Sequence, residues 1–518
     1  MGYIHLFIAS VFCISIWTQH AVRQRRQKYA LPPGPPGDPL IGHLRIIPTE
    51  RQADIFHEWS KVYGDVMYLE VLGRKMVILS SIEAAQGILE TKGANYSCRP
   101  KFTLFELMGW YPTITFLQYG KRFLKMRKMV QTYFGKKETL AFNFALAEEA
   151  RLLVKNLHDS ARGKHLHYVQ RFTISSVMRA AFGHQVKSDD DVFLGIGKRV
   201  SQALNNCGPA GNTPVDFFPW LQYCPSWFPG MHYVNLARNQ WYKVIRELHD
   251  HTLAYVQEGM KTKTVQRSFT SDHLESLGDR DDIDPEEVED IKGAASTLFA
   301  AGEDSTYVTL TAFMIAMVQN PDVQRRAYEE IVSVVGHDKL PDVNDRERLP
   351  YLDCILQETL RWAPCSRTFI FTLLTCILGL VEAGTTPSPW DEVYNGMFIP
   401  KNTIVIPNIL AMNRDERVYP NPKTFNPSRF LGGKSPLPSV WGFGRRICPG
   451  RYFADLAIWN VIACVLAALE LVPPRDETGN EVMPEMVVTE GLSSGIAPFD
   501  FEVRPRSERV TALITVLE

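Results

Sequence analysis

The chain has little of what would mark a nucleic-acid binder, a disulfide scaffold or a zinc protein. Lys+Arg number 56 and Asp+Glu 57, a formal net charge of -1, so the basic excess of a general nucleic-acid binder is missing. Nine cysteines in 518 residues are too few for a disulfide framework. None of them falls in a CxxC pair, which argues against zinc-ribbon chemistry. No Gly-x-Gly-x-x-Gly fingerprint follows a strand-like run, so the chain shows no nicotinamide- or flavin-binding unit of its own. Internal repeats and long low-complexity tracts are also missing. What is present is ordinary globular composition: 45% hydrophobic, 11% aromatic and 22% charged, which excludes a wholly disordered or collagen-like chain. Length alone suggests about three domains, although a large helical enzyme fills such a length with one core.

Residues Tyr3 to Val22 are mostly apolar and contain no Lys, Arg, Asp or Glu. At about 1.5 Å per residue they make roughly 30 Å of helix, enough to span a bilayer. Arg23, Arg25, Arg26 and Lys28 follow at once, and such a basic cluster stays on the cytosolic side. No basic stretch precedes the apolar run and no clear small-x-small cleavage site follows it, so residues 1–22 are expected as a retained anchor rather than a cleaved signal. A cytosolic body suits free cysteines and makes the sequon Asn95-Tyr96-Ser97 irrelevant to glycan transfer. Leu31-Pro32-Pro33-Gly34-Pro35-Pro36-Gly37 cannot be helical, and residues 23–40 are expected as a basic and Pro-rich tether. Residues 41–510 are expected as one domain, mainly α with a smaller β region.

Within that domain, Val66–Leu72 and Lys75–Ser80 suggest a hairpin turning near Gly73-Arg74. Asp284-Pro285-Glu286-Glu287 has the N-cap, first-turn proline and acids of a helix start. The pattern then runs proline-free to Asn320-Pro321, a helix of about 35 residues and roughly 50 Å. Polar residues 262–283 before it are expected as a surface loop. Further helices are expected over about 322–335, 351–362 and 450–471.

The most informative stretch is Trp441-Gly442-Phe443-Gly444-Arg445-Arg446-Ile447-Cys448-Pro449-Gly450. Glycines let a backbone approach a flat ligand closely. Amide N–H groups and a helix N-terminus beside Cys448 favour thiolate over thiol. Arg446 can pair with an acidic group on such a ligand. The competing reading is a buried structural cysteine, the usual state of a free one. The other eight cysteines lack any such setting.

This loop resembles the haem loop of the cytochrome P450 superfamily, Phe-x-x-Gly-x-Arg-x-Cys-x-Gly, with Trp441 in place of Phe. Glu358-Thr359-Leu360-Arg361 matches the superfamily's Glu-x-x-Arg helix. Phe425 to Phe430 matches its Phe-x-Pro-Glu-Arg-Phe segment, with Ser428 replacing Glu. The resemblance implies the P450 fold, haem b with Cys448 as the iron ligand, and a structural triad of Glu358, Arg361 and Arg429. A thiolate ligand pushes electron density onto haem iron and favours O–O cleavage. Trp441, Gly444, Arg446 and Gly450 would border the cofactor. Tyr119 to Arg127 resembles the Trp-x-x-x-Arg helix, with Phe123 for Trp, and places Arg127 on a haem propionate. Its alternative reading is a solvated basic face. Ala301-Gly302-Glu303-Asp304-Ser305-Thr306 resembles Ala-Gly-x-Asp-Thr-Thr, so Asp304, Ser305 and Thr306 are the candidate catalytic residues that relay protons to O2. Gly302 and the neighbouring hydroxyls suggest a local bulge in the long helix.

Phe217, Phe218, Trp220, Tyr223, Trp227 and Phe228 crowd one loop region, a lipophilic entrance, a membrane-interface element or core. This loop and Tyr394 to Pro400 resemble fungal secondary-metabolite members of the superfamily, the O-methylsterigmatocystin oxidoreductase-like group and tryptamine hydroxylases. Met108, Trp110, Tyr111 and Phe116 are expected near the pocket. One stretch breaks the pattern: Cys365 to Trp390 stands where relatives carry a short Pro-His-x-x-x-x-Asp strand and is too long by about a dozen residues. It reads either as a real insertion or as translated intron in a predicted gene, the second being favoured.

The resemblance implies a monooxygenase of the endoplasmic reticulum membrane, single-pass with its catalytic domain in the cytosol. It would oxidise a lipophilic small molecule with O2 and electrons from NADPH, delivered by NADPH-cytochrome P450 reductase, with cytochrome b5 as a further candidate donor. No nucleic-acid partner is expected. The alternatives are a haem-thiolate desaturase or isomerase, and a non-catalytic chain ruined by residues 365–390.

Overall fold

The computed structural model describes residues 29–48, 50–160, 163–207, 213–278, 284–365, 391–489 and 494–515. The expected anchor and its basic flank, and residues 366–390 of the anomalous segment, lie outside the described residues.

The chain is mainly helical with a small sheet region. The elements that frame the site are α1 (Gln52–Tyr63), β1 (Val66–Val71), β2 (Arg74–Leu79), α2 (Lys121–Tyr133), α3 (Asn143–Asp159), α4 (His165–Phe182), α5 (Val192–Asn206), α6 (Tyr242–Thr262), α7 (Pro285–Gln319), α8 (Pro321–Val335) and α9 (Pro350–Trp362). Then come β3 (Glu392–Tyr394), β4 (Met397–Ile399), β5 (Ile404–Pro407), α10 (Arg451–Ala468), β6 (Leu469–Val472) and β7 (Glu502–Pro505).

The long helix α7 forms as its sequence dictates. Asp284 accepts from the Glu286 amide at 2.9 Å, Pro285 occupies the first turn, and the helix stops before Pro321. It runs through the core, with its central and C-terminal turns largely buried. Gly302 sits against α4, where an added Cβ would lie 2.9 Å from Val177 Cγ2. The mid-helix glycine therefore serves close helix packing, and α7 stays regular through residues 300–306 instead of opening the expected bulge.

β1 and β2 pair antiparallel from Val66↔Leu79 to Val71↔Arg74, and β5 adds to β2 in parallel. The turn falls on Leu72-Gly73, one residue earlier than expected, with φ of 48° and 78° at the two positions. The expected loop 262–283 contains a helix, Phe269–Leu277, started by a Ser268–Ser271 capping box. The last apolar residues of the expected helix 450–471 leave it as β6, because they pair with β7. Helix α10 is long and apolar enough to cross a membrane, but its flanks are buried in the core. The Pro-rich segment is extended, as proline requires, yet fastened to the body. The Phe398 amide donates to Ala30 O at 2.7 Å, and the Tyr68 amide to Pro33 O at 2.9 Å.

One buried ion cluster ties α9 to the C-terminal loops. Glu358 accepts from Arg361 Nε at 2.7 Å and Nη2 at 2.8 Å, from Arg429 Nε at 3.1 Å, and from the Asn426 amide at 2.7 Å. Arg361 also donates to the Asn413 and Pro422 carbonyls, each at 2.8 Å. Ser428, in the family's glutamate position, accepts from Arg326 at 2.8 Å. Removing Glu358 leaves two buried guanidiniums without their anion. Glu358→Ala is therefore expected to cost about 3–5 kcal/mol, read as a lower urea midpoint; an unchanged midpoint would show that the cluster is dispensable.

Candidate functional site

The Cys448 loop is shaped by glycines with different tasks. Gly442 and Gly444 hold φ of 74° and 57°. A Cβ on Gly444 would stand 2.1 Å from the Leu89 carbonyl oxygen, so no other residue fits there. The Cys448 amide donates to Trp441 O at 2.7 Å and closes the loop, and α10 starts three residues later with Gly450 as its N-cap. Burial raises the Cys448 thiol, while the Gly450 and Arg451 amides and the charges of Arg127 and Arg451 oppose that rise.

Cys448 opens onto a cavity of about 350 Å³. Trp441, Arg446 and Gly450 line it from the same loop, Arg127 from α2, and Ser305 and Thr306 from α7. Val177 and Ala180 of α4 complete an apolar wall with Leu298 and Ala301. Gly444 packs on Leu89 and is not among the lining residues, so its part is to shape the loop rather than to border a ligand.

The charged side chains on this wall are arginines, and no carboxylate among the described residues joins them. Arg127 is 6% exposed; it lies on the buried face of α2 with Phe123, while Lys121, Lys125 and Lys128 face solvent. Burial lowers its pKa, and its Nε has no hydrogen-bond partner. Burial pushes Arg446 down to about 9, with Arg99 adding repulsion. Arg446 donates to Ser97 O at 2.6 Å, Leu117 O at 2.7 Å and Ile114 O at 3.2 Å, and covers the Phe123 ring at 3.6 Å. It is therefore a strut for residues 97–117 as well as a wall residue. Arg99 is the third cation, pushed down to about 10 by burial. Sequence reasoning missed it, because its place depends on how the 97–117 segment folds back over the cavity.

Ser305 and Thr306 face the cavity as expected. Ser305 Oγ donates back to Ala301 O at 2.6 Å, inside a regular helix. Asp304 is half-buried and does not line the cavity. The strongly perturbed acid of this segment is its neighbour Glu303, 2% exposed, which meets Ser201 Oγ of α5 and accepts from Gln170 Nε2 of α4 at 3.2 Å. Burial, with the Asp304 charge, pushes Glu303 up to about 8. Phe116 lines the cavity, Trp110 and Tyr111 line a neighbouring hollow, and Met108 is fully buried. The aromatic loop divides: Phe217 and Phe218 are core, whereas Trp220, Tyr223 and Trp227 are 43%, 81% and 79% exposed.

The arrangement fits a flat, mostly apolar ligand with acidic edges and one metal position. Gly450 borders the cavity with no protein atom within 4 Å of where a Cβ would sit, leaving space beside Cys448. The buried Arg127 Nε lacks an acceptor. No group of three His, Cys, Asp or Glu among the described residues could hold a metal alone, so an iron here would arrive in its own macrocycle.

The sequence profile of the family Cytochrome P450 matches residues 32–496. The chain belongs to the cytochrome P450 family. Cytochrome P450 monooxygenase 176 of Postia placenta is 35% identical, covering 98% of this chain and 96% of that protein. Cytochrome P450 monooxygenase COX2 of Coprinopsis cinerea is 33% identical over 98% of this chain and 95% of its own length. Cytochrome P450 monooxygenase claR of Ampulloclitocybe clavipes is 33% identical over 95% and 89%. This P450 is thus a monooxygenase by kinship, and its family implies haem and O2.

Glu303 gives the P450 body a pH signature. Its native carboxyl holds a proton up to about pH 8, against about 4.5 when unfolded, so the native state binds more protons in that window. Stability from this group is fully present below the window and falls as pH rises through it. Glu303→Gln, a neutral mimic, is expected to gain on the parent between pH 5 and pH 9 in urea unfolding. A gap that stays constant would show that Glu303 titrates as an ordinary acid.

Proposed function

We propose that the chain is a membrane-anchored haem-thiolate monooxygenase that oxidises a lipophilic small molecule of fungal secondary metabolism, in the terpenoid, polyketide or alkaloid range. The observation that carries this reading is the single cavity wall combining one thiol, the arginines Arg99, Arg127 and Arg446, hydroxyls of α7 and no acid. Cys448 would be the sole protein ligand to the iron of haem b. Arg99, Arg127 and Arg446 would face its propionates, and Trp441 and Gly450 would border it. When bound, haem supplies reductive activation of O2 and transfer of one oxygen atom to substrate. The chain's own residues do the rest. Ser305 Oγ and the Thr306 hydroxyl would hold protons at the cavity, and Asp304, just outside it, would exchange them with solvent. Ile114, Phe116 and Leu298 would keep bulk water out and give the substrate an apolar seat.

Electrons would come from NADPH through NADPH-cytochrome P450 reductase, with cytochrome b5 as a second donor. The missing dinucleotide fingerprint and the exposed Lys125 and Lys128 of α2 support an external, acidic partner. The apolar run Tyr3–Val22 followed by Arg23, Arg25 and Arg26 supports single-pass anchoring in the endoplasmic reticulum membrane with the body in the cytosol. Exposed Trp220, Tyr223 and Trp227 suit the headgroup layer.

The test is the reduced, carbon-monoxide-bound difference spectrum of the full chain in reductase-containing membranes. A strongly red-shifted Soret band is expected. Cys448→Ser should abolish it together with NADPH-dependent oxidation of a lipophilic substrate panel. A parent chain that holds no haem, or shows an unshifted band, overturns the proposal.

A further inference from the structure

Glu303 is a carboxyl buried between three helices, with no cation to answer it among the described residues. On α5 it meets Ser201 Oγ, and on α4 it accepts from Gln170 Nε2 at 3.2 Å. The cations of those two helices are turned elsewhere. Lys198 of α5 lies 3.3 Å from His167 Nδ1, and Arg199 pairs with Glu247 at 2.7 Å. Arg171 of α4 pairs with Asp189 at 3.1 Å, and Arg179 with Glu148 at 2.6 Å. The charge that does act on Glu303 is that of Asp304, which is of like sign. A glutamine could make the same two hydrogen bonds without titrating; an acid makes them conditional on a proton.

Protonated, the carboxyl makes both contacts as a neutral group. Ionised, it would stand as a buried charge beside a second one, and an unpaired buried charge is costly. Water is the relief, and α5 is the helix that can move aside to admit it. No residue of α4 is exposed along His165–Phe182. By contrast α5 is a surface helix, with Val192, Arg199, Gln202 and Asn205 exposed. Two of its contacts with α7 fall one turn apart on both helices. At Gly197 an added Cβ would lie 3.0 Å from Phe299 Cζ, and four residues on, Ser201 meets Glu303. Glu303 lies within one turn of Ser305 and Thr306, so this seam is level with the Cys448 cavity.

We propose that Glu303 is a proton-operated clasp between α5 and α7: with its proton it holds the two helices together, and without it α5 parts from α7 and water enters the seam. Opening releases one proton to solvent. It therefore becomes easier as pH rises from the ordinary carboxyl value towards the native one of about 8. The groups around the seam do not mimic this. Burial and Lys198 lower the His167 pKa, which would favour opening as pH falls. Burial raises Tyr307 of α7 and pushes Cys207, at the end of α5, up to about 12, so both stay largely protonated through this window. Glu149 of α3 is also raised by burial and shares the sign, but a change at Glu303 leaves it in place. The clasp rests on the fold and not on the monooxygenase reading.

Hydrogen–deuterium exchange of the full chain tests it, followed in peptides covering residues 192–206 of α5 and 171–182 of α4. Exchange times are corrected for the intrinsic pH dependence of amide exchange. Between pH 6 and pH 8, α5 should lose at least about tenfold of its protection, within the roughly hundredfold that one proton allows over two pH units. Protection of α4 should stay level. Glu303→Gln should hold α5 level across the same range, with the thermal midpoint checking its fold. The parent profile can overturn the proposal by itself, through flat protection in α5 or an equal loss in α4. A loss in α5 that persists in Glu303→Gln overturns it as well.

Discussion

Glu358 is the carboxylate on which the geometry of the site depends. It fixes Arg361, Arg361 fixes the Asn413 carbonyl, and the Asn413 side chain accepts from the Ser439 amide at 3.1 Å. Two residues on, Trp441 gives its carbonyl to the Cys448 amide. The position of one sulfur is thus reached through a relay of hydrogen bonds that starts on a helix far away in sequence. Buried ion clusters of this kind are poor sources of net stability, because desolvation consumes much of the attraction. Their value here is definition: the guanidiniums reach several acceptors at once, and a shifted loop would leave charges buried and unanswered.

The cavity has the opposite character. Arg99, Arg127 and Arg446 are brought together without an acid, and burial depresses all three. Arg446 is answered partly by three backbone carbonyls, which hold the covering segment in place. A ligand with acidic edges would relieve the remaining repulsion, so its binding and the stability of the surrounding loops are linked.

How much of this the sequence discloses depends on the range of the interaction. Local chemistry was legible. Asp284 and Pro285 announce the start of α7, Asn320-Pro321 its end, and the spacing around Cys448 announces a loop before a helix. Glu358 and Arg361 are neighbours on one helix face, and their pairing follows from that. Tertiary contacts were not legible. Nothing near Arg99 says that residues 97–117 fold over the cavity. Nothing near Glu303 says that α4 and α5 will bury it instead of Asp304. Gly302 in the sequence suggests a bulge, whereas Val177 on another helix accounts for it. The switch from helix to strand at Leu469 likewise waits on a partner strand some thirty residues later.

The short bridge between Ala30 and β4 constrains how the body can stand on a surface. With the anchor proposed above ending at Val22, seven residues separate it from a fastened point, at most about 28 Å of fully extended chain. A body on so short a lead would not tumble freely over a membrane. Its accessible orientations would narrow about that attachment, and the side of the protein that meets the lipid would depend on where Ala30 is fastened.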